Sequence, residues 1–137
     1  MGRENMKAEG EESVQQPEME GVGDFLSPDD LYGVLASTMR RRALYFLLEH
    51  DRTTVDELAD TLAGWEAAAE NEHVGRERRQ RLYVSLHHVH LPRLAEAGFV
   101  THDTDSGDVS LSPLSAATVE AIRHAAEYER KAVVAER

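Results

Sequence analysis

Cysteine does not occur among the 137 residues, which excludes a disulfide framework and any thiolate metal site. Long apolar runs are also missing, since the longest, Ala43 to Leu48, is far too short to span a membrane. The opening MGRENMKAEGEE lacks the apolar stretch of a secretory signal, so a cytoplasmic protein with no membrane attachment is expected. No G-x-S-x-G, P-loop, G-x-G-x-x-G or H-E-x-x-H pattern is present. None of the carboxylates sits in an apolar stretch that would raise its pKa for acid–base work. The expectation is therefore a binding protein, not an enzyme, with no cofactor.

Lysine is nearly absent: Lys7 and Lys131 leave thirteen arginines among the 15 basic residues. The formal net charge of −11 argues against nucleic-acid binding, because a polyanion repels another at long range. Its distribution weakens that objection. Residues 1–27 hold seven acids and two bases, whereas Arg76 to Arg93 holds five arginines and one acid. So acidic and arginine-rich a composition is similar to the proteome style of salt-loving archaea. Molar salt shrinks the screening length to about 3 Å, and there local contacts outweigh net charge.

Residues 1–25, rich in Glu, Gly and Gln, have too little apolar surface to offset the entropy of ordering and are expected to be a disordered acidic tail. A domain over 26–112 follows. Ser27-Pro-Asp-Asp combines an N-cap, a proline at the first helical position and an acid three places after the cap. Ser37 caps a second helix, Thr38 to His50, with Met39, Ala43, Phe46 and Leu47 at helical spacing. Its first turn carries Arg40, Arg41 and Arg42, against the preference of the helix dipole. They either bind phosphate at the helix end or pair with Asp29, Asp30 or Glu49. Thr54-Val-Asp-Glu opens a third helix with Val55, Leu58, Ala59 and Leu62 on one face. Trp65 reads as a core or satellite-core residue. Residues 64–75 are too many for a tight turn.

An arginine-loaded helix then runs from about Arg76 to Ala97, with Leu82, Leu86 and Val89 inward. Arg78, Arg81, Ser85 and His88 form a polar stripe on the other side, the expected reading face, joined at the helix start by Arg76 and Arg79. Pro92 predicts a kink or break near His90. Gly98 supplies a left-handed cap. Phe99 to Asp103 and Asp108 to Ser112 pair across Thr-Asp-Ser-Gly as a hairpin. His87, His88 and His90 do not amount to a metal site, because no third ligand is spaced with them. Over 113–137 a last helix steps Leu114, Thr118, Ala121, Ala125, Tyr128 and Ala132, and the residues Leu114, Ala121, Ala125, Tyr128 and Ala132 are the expected dimer arm. The competing reading lays this helix on its own domain through Val119 and Ile122.

The stretches LSPDDLYGVLASTMRRRALYFLLEH, VDELADTLAGWE and RLYVSLHHVHLPRLAEAGFV resemble an uncharacterised winged-helix domain family widespread in halophilic archaea. The resemblance implies a winged helix-turn-helix and a role in transcription, and it brings no ligand. The expected fold is mostly α with a small β-hairpin, a winged helix-turn-helix plus a C-terminal helix. The expected function is a homodimeric regulator that binds double-stranded DNA with the helix from about 76 in the major groove and Arg40 to Arg42 on flanking phosphates. Asp103, Asp105 and Asp108 in the wing, with no Lys or Arg beside them, support the alternative of a protein-interaction adaptor that does not touch DNA.

Overall fold

Ser27 caps the first helix, its Oγ accepting the Asp30 amide at 3.0 Å, and a computed structural model describes the chain over 26–73 and 75–135. The expected tail over 1–25 and the final two residues lie outside the described residues. Helix α1 spans Pro28–Leu35 and α2 spans Thr38–His50, the latter capped by Ser37 Oγ on the Arg40 amide. Strand β1, Arg52–Thr54, leads into α3, Val55–Ala69, where Thr54 Oγ1 accepts the Glu57 amide at 3.1 Å. Helix α4 is Arg76–Ser85, a π-helical turn occupies Leu86–His90, and α5 is Leu91–Glu96. Strands β2, Val100–His102, and β3, Asp108–Leu111, precede α6, Ala116–Ala135.

The three strands form one antiparallel sheet in the order β1-β3-β2. Thr53 and His102 both lie opposite Val109, so β3 is the central strand and the wing is joined to the start of α3. Helix, strand, two helices and a hairpin in this order, closed by β1, are the elements of a winged helix-turn-helix. The hairpin expected from sequence is present, slightly shorter than read, and β1 is an addition to it. Three residues, of which only Thr53 is buried, are too few to show alternation.

Ala43, Leu44 and Leu47 of α2 stand at the centre of the core with Leu58 and Leu62 of α3, Leu86, Leu91, Leu94, Phe99, Val109 and Ile122. The inward face of the long helical stretch differs from the expected one at a single place. Leu82 and Leu86 are buried, but Val89 is 55% exposed and Leu91 takes its place at 0%. Proline has no N–H, and its ring collides with the carbonyl four residues back in a regular helix. Widening to a π turn relieves this, with the Leu91 amide reaching back five residues to Leu86 O, and the extra residue turns Val89 outward. The chain bends here without breaking. Trp65 is likewise corrected: it stands 39% exposed outside the core cluster.

Helix α6 lies along α2. Thr118, Ile122, Ala125, Glu129 and Ala132 follow each other at spacings of four and three; Thr118 and Ile122 are buried and Glu129 bonds Arg41 and Tyr45 of α2. Two residues of the expected dimer arm, Ala125 and Ala132, thus share the stripe turned to the chain's own α2. Leu114 packs against the core, Ala121 is half-buried, and Tyr128 is open to solvent at 74%.

Acid is expected to destabilise this fold in two stages. Burial lowers His90 and His102 from the ordinary 6.5, helped by the charge of Arg40 in one case and by His87 in the other. A depressed folded pKa gives stability that is whole above the unfolded value and lost as pH falls through the folded one. The first decline therefore starts below 6.5. A second comes lower, as Glu129 and Asp103 protonate. Burial alone would push the Glu129 carboxyl up, yet hydrogen bonds from Arg41 and Tyr45 bring it below its usual range. The amides of Ser106 and Asp105 do the same for Asp103. Urea midpoints at about pH 7.5, 5.5 and 4 should fall in order, and a flat response between the first two would show that the histidines are not held neutral.

Candidate nucleic-acid interface

The arginines at the start of α2 are explained by the end of α1. A helix leaves its last carbonyls unsatisfied and partially negative. Arg40 donates from Nε to Val34 O and from Nη2 to Gly33 O, both at 3.0 Å, and its Nη1 reaches His90 Nδ1 at 3.3 Å. Arg41 donates from Nη1 to Leu35 O at 2.6 Å and pairs with Glu129 at 2.9 Å. Their hydrogen bonds outweigh the unfavourable position in their own helix. Neither arginine makes the pair with Asp29, Asp30 or Glu49 that the sequence suggested. Arg42 makes no ion pair among the described residues and borders the cleft beside Met39.

Helix α4 crosses α3, and consecutive arginines reach in different directions along it. Arg78, whose side chain is only 12% exposed, meets Glu66 at 2.6 Å, Glu70 at 3.1 Å and Glu72 at 2.6 Å. Arg79 meets Asp56 at 2.9 Å and Asp60, and its guanidinium lies 5.9 Å from the Tyr83 ring centroid. Hydrogen bonds donated to these acids raise both guanidinium pKa values. Arg78 and Arg79 therefore fasten α4 to α3 and to the turn after it. The 64–75 segment owes its length to this: α3 continues to Ala69, and the turn carries Glu70 and Glu72 to Arg78.

The outward face of α4 is rotated from the expected stripe. Arg76, Glu77, Gln80, Arg81 and Val84 are exposed, as is His88 in the π turn, while Ser85 is half-buried. Of the expected contacts, Arg76, Arg81 and His88 share this face, with Ser85 at its edge; Arg40, Arg41, Arg78 and Arg79 are engaged by partners within the chain. Arg76 and Arg81 make no ion pair with the described residues, so their donors are open to an incoming acceptor. Sequence reasoning missed Gln80 and Val84. The signal was available: Asp56 and Asp60 on α3, and Glu66 with Glu70 at its C-cap, are each spaced by four, a ladder of acids facing adjacent arginines.

One of the wing's acids, Asp103, has a local purpose. Asp103 Oδ1 accepts the Asp105 and Ser106 amides at 2.9 and 3.2 Å, the turn that side chains of this kind favour. Gly107, at φ +85°, supplies the left-handed residue before β3 and holds the wing to α3 by accepting the Val55 amide at 2.9 Å. His87 and His102 meet edge to face, with centroids 5.5 Å apart, where the π turn touches the wing. Among the described residues no group of three metal-ligating side chains could hold an ion, and no helix is long and apolar enough to cross a membrane.

No curated protein and no solved structure matches the chain. Residues 32–110 match the family described as Domain of unknown function (DUF7344), from Tyr32 in α1 to Ser110 in β3, which takes in α2 to α5, nearly all of the sheet and the arginine-bearing face, and leaves out α6. That span is more than half of the 137 residues, and the chain belongs to the DUF7344 family.

Proposed function

We propose that this protein is a non-catalytic regulator of transcription that binds duplex DNA through α4. The observation that carries the reading is the sorting of the arginines: four are engaged by acids or carbonyls, whereas Arg76 and Arg81 make no ion pair among the described residues and lie on the exposed face of the second helix of the motif. In a helix-turn-helix that helix enters the major groove with its N-terminal part against base edges. Gln80, Arg81 and Val84 offer three kinds of base contact there: an amide for adenine, a guanidinium for guanine and an apolar group for the thymine methyl. Arg42 lies beside this face and suits a phosphate.

A second reading, a protein-interaction adaptor, is favoured by the wing, which presents Asp103, Asp105 and Asp108 and no cation. Titration of the full chain against a pool of genomic fragments at several salt concentrations separates the two. The DNA reading expects a log affinity falling linearly with log salt, with a slope of about −2 to −3 for the few cations available. Absence of measurable affinity at low salt would leave the adaptor. Homodimerisation belongs to the DNA reading as well. With Ala125 and Ala132 turned to α2, the exposed Tyr128 on α6 is the residue left to carry it.

A further inference from the structure

Beside the outward face of α4 lies a groove of about 660 Å³. Its floor is apolar, built from Met39 of α2 with Leu82 and Val84 of α4, and Glu66, Glu77 and Arg81 stand on its wall. A smaller cleft of about 60 Å³ adjoins it, sharing Met39, Glu66 and Leu82 and adding Arg42. Size and lining are those of small-molecule sites, which combine an apolar surface with a few polar groups that fix orientation.

Charge narrows the occupant. The Glu66 carboxylate is already held by Arg78 at 2.6 Å. That leaves two cations, Arg81 and Arg42, against one uncommitted acid, Glu77, among the described residues. Arg42 also lies in the field of Glu129, so Arg81 is the stronger anchor. A guanidinium matches a carboxylate with two parallel hydrogen bonds, while Glu77 nearby disfavours a dianion such as a phosphate monoester. The geometry points to this groove as a binding site for a small amphipathic monocarboxylate, its aryl or alkyl body on Met39, Leu82 and Val84 and its carboxylate on Arg81.

Binding itself needs only these residues. Its effect on DNA rests on the function proposed above: Arg81 cannot serve a ligand carboxylate and a base edge together, so the ligand would compete with DNA. Calorimetric titration of the full chain with 4-phenylbutyrate and with its neutral isostere 4-phenylbutanamide tests the site. The acid should saturate with a dissociation constant in the low millimolar range or tighter, and the amide should bind about tenfold more weakly. Arg81→Gln should bring the acid down to the amide. Val84→Arg, at a position 45% exposed, should obstruct the groove and abolish both, with an unchanged melting curve as proof of folding.

Failure of the acid to saturate by about 20 mM overturns the assignment. So does equal binding of acid and amide, a preference that survives Arg81→Gln, or equal competition by inorganic phosphate. A self-associating protein made monomeric by Val84→Arg would put a second copy in the groove, which also overturns it. A protein that binds the acid and no DNA keeps the groove and loses the DNA reading; one that binds DNA and not the acid does the reverse.

Discussion

Phe99→Ala is expected to cost about 3–5 kcal/mol of stability, a fall of roughly 10 to 25 °C in melting temperature for a domain of this size. Phe99 is fully buried, and its surroundings cannot close over the space it leaves. Its amide donates to Leu94 O and its carbonyl accepts the Ser112 amide, each at 2.9 Å, so the backbone is pinned to α5 on one side and to the end of the wing on the other. Gly98 before it sits at φ +89°, a conformation that another residue would hold only under strain. Cavities persist where relaxation is blocked, and the cost per lost side chain is then greatest. Thermal melts followed by circular dichroism measure this directly. A loss of less than about 1 kcal/mol would mean that α5 and the sheet move together and fill the gap.

Arg76→Ala combined with Arg81→Ala is expected to weaken specific DNA binding by roughly 30-fold or more, because a good bidentate base contact contributes about 1–3 kcal/mol. Both side chains are exposed and without an ion-pair partner among the described residues, so their removal leaves the core intact. The contrasting variant is Arg78→Ala. It deprives Glu66, Glu70 and Glu72 of their shared cation, and should lower the melting temperature while leaving sequence preference in place. Fragment selection followed by affinity measurement reads both effects. Unchanged preference in the double variant, together with a loss of preference in Arg78→Ala, would reverse the assignment of the two sets and place the reading residue inside the clamp.

The sequence was most legible where a single chemical rule acts locally. Ser27, Ser37 and Thr54 each cap the helix they were read to cap, because a side-chain oxygen on an amide three residues ahead needs nothing from the rest of the chain. Gly98 and the Asp-Ser-Gly turn were legible for the same reason. Arg40 and Arg41 were not, since their partners are the carbonyls of another helix and a glutamate near the far end of the chain; the residue type announces a donor and says nothing of its acceptor. The rotation of α4 escaped as well. That helix is polar nearly all round, with Leu82 its one buried residue, and an apolar stripe is what fixes a helix's azimuth in a pattern argument. Of the polar stripe read opposite Leu82, Leu86 and Val89, Arg78 is claimed by tertiary ion pairs, as is Arg79 beside it.

The π turn bears on tolerance to changes of length as well as on packing. One residue more is accommodated between Leu86 and His90 than a regular helix would use, and everything after it, from Leu91 through the wing, keeps its orientation because the widened turn absorbs that residue. Loss of one residue there would restore an ordinary helix with Leu91 still one turn above Leu86, whereas straightening the turn with the residue retained would advance Leu91 and Leu94 by about 100° around the axis and carry them out of the core. Insertions and deletions are usually assigned to loops, where the chain has slack. Here the helix itself holds such slack between Leu86 and His90, at the turn that Pro92 ends.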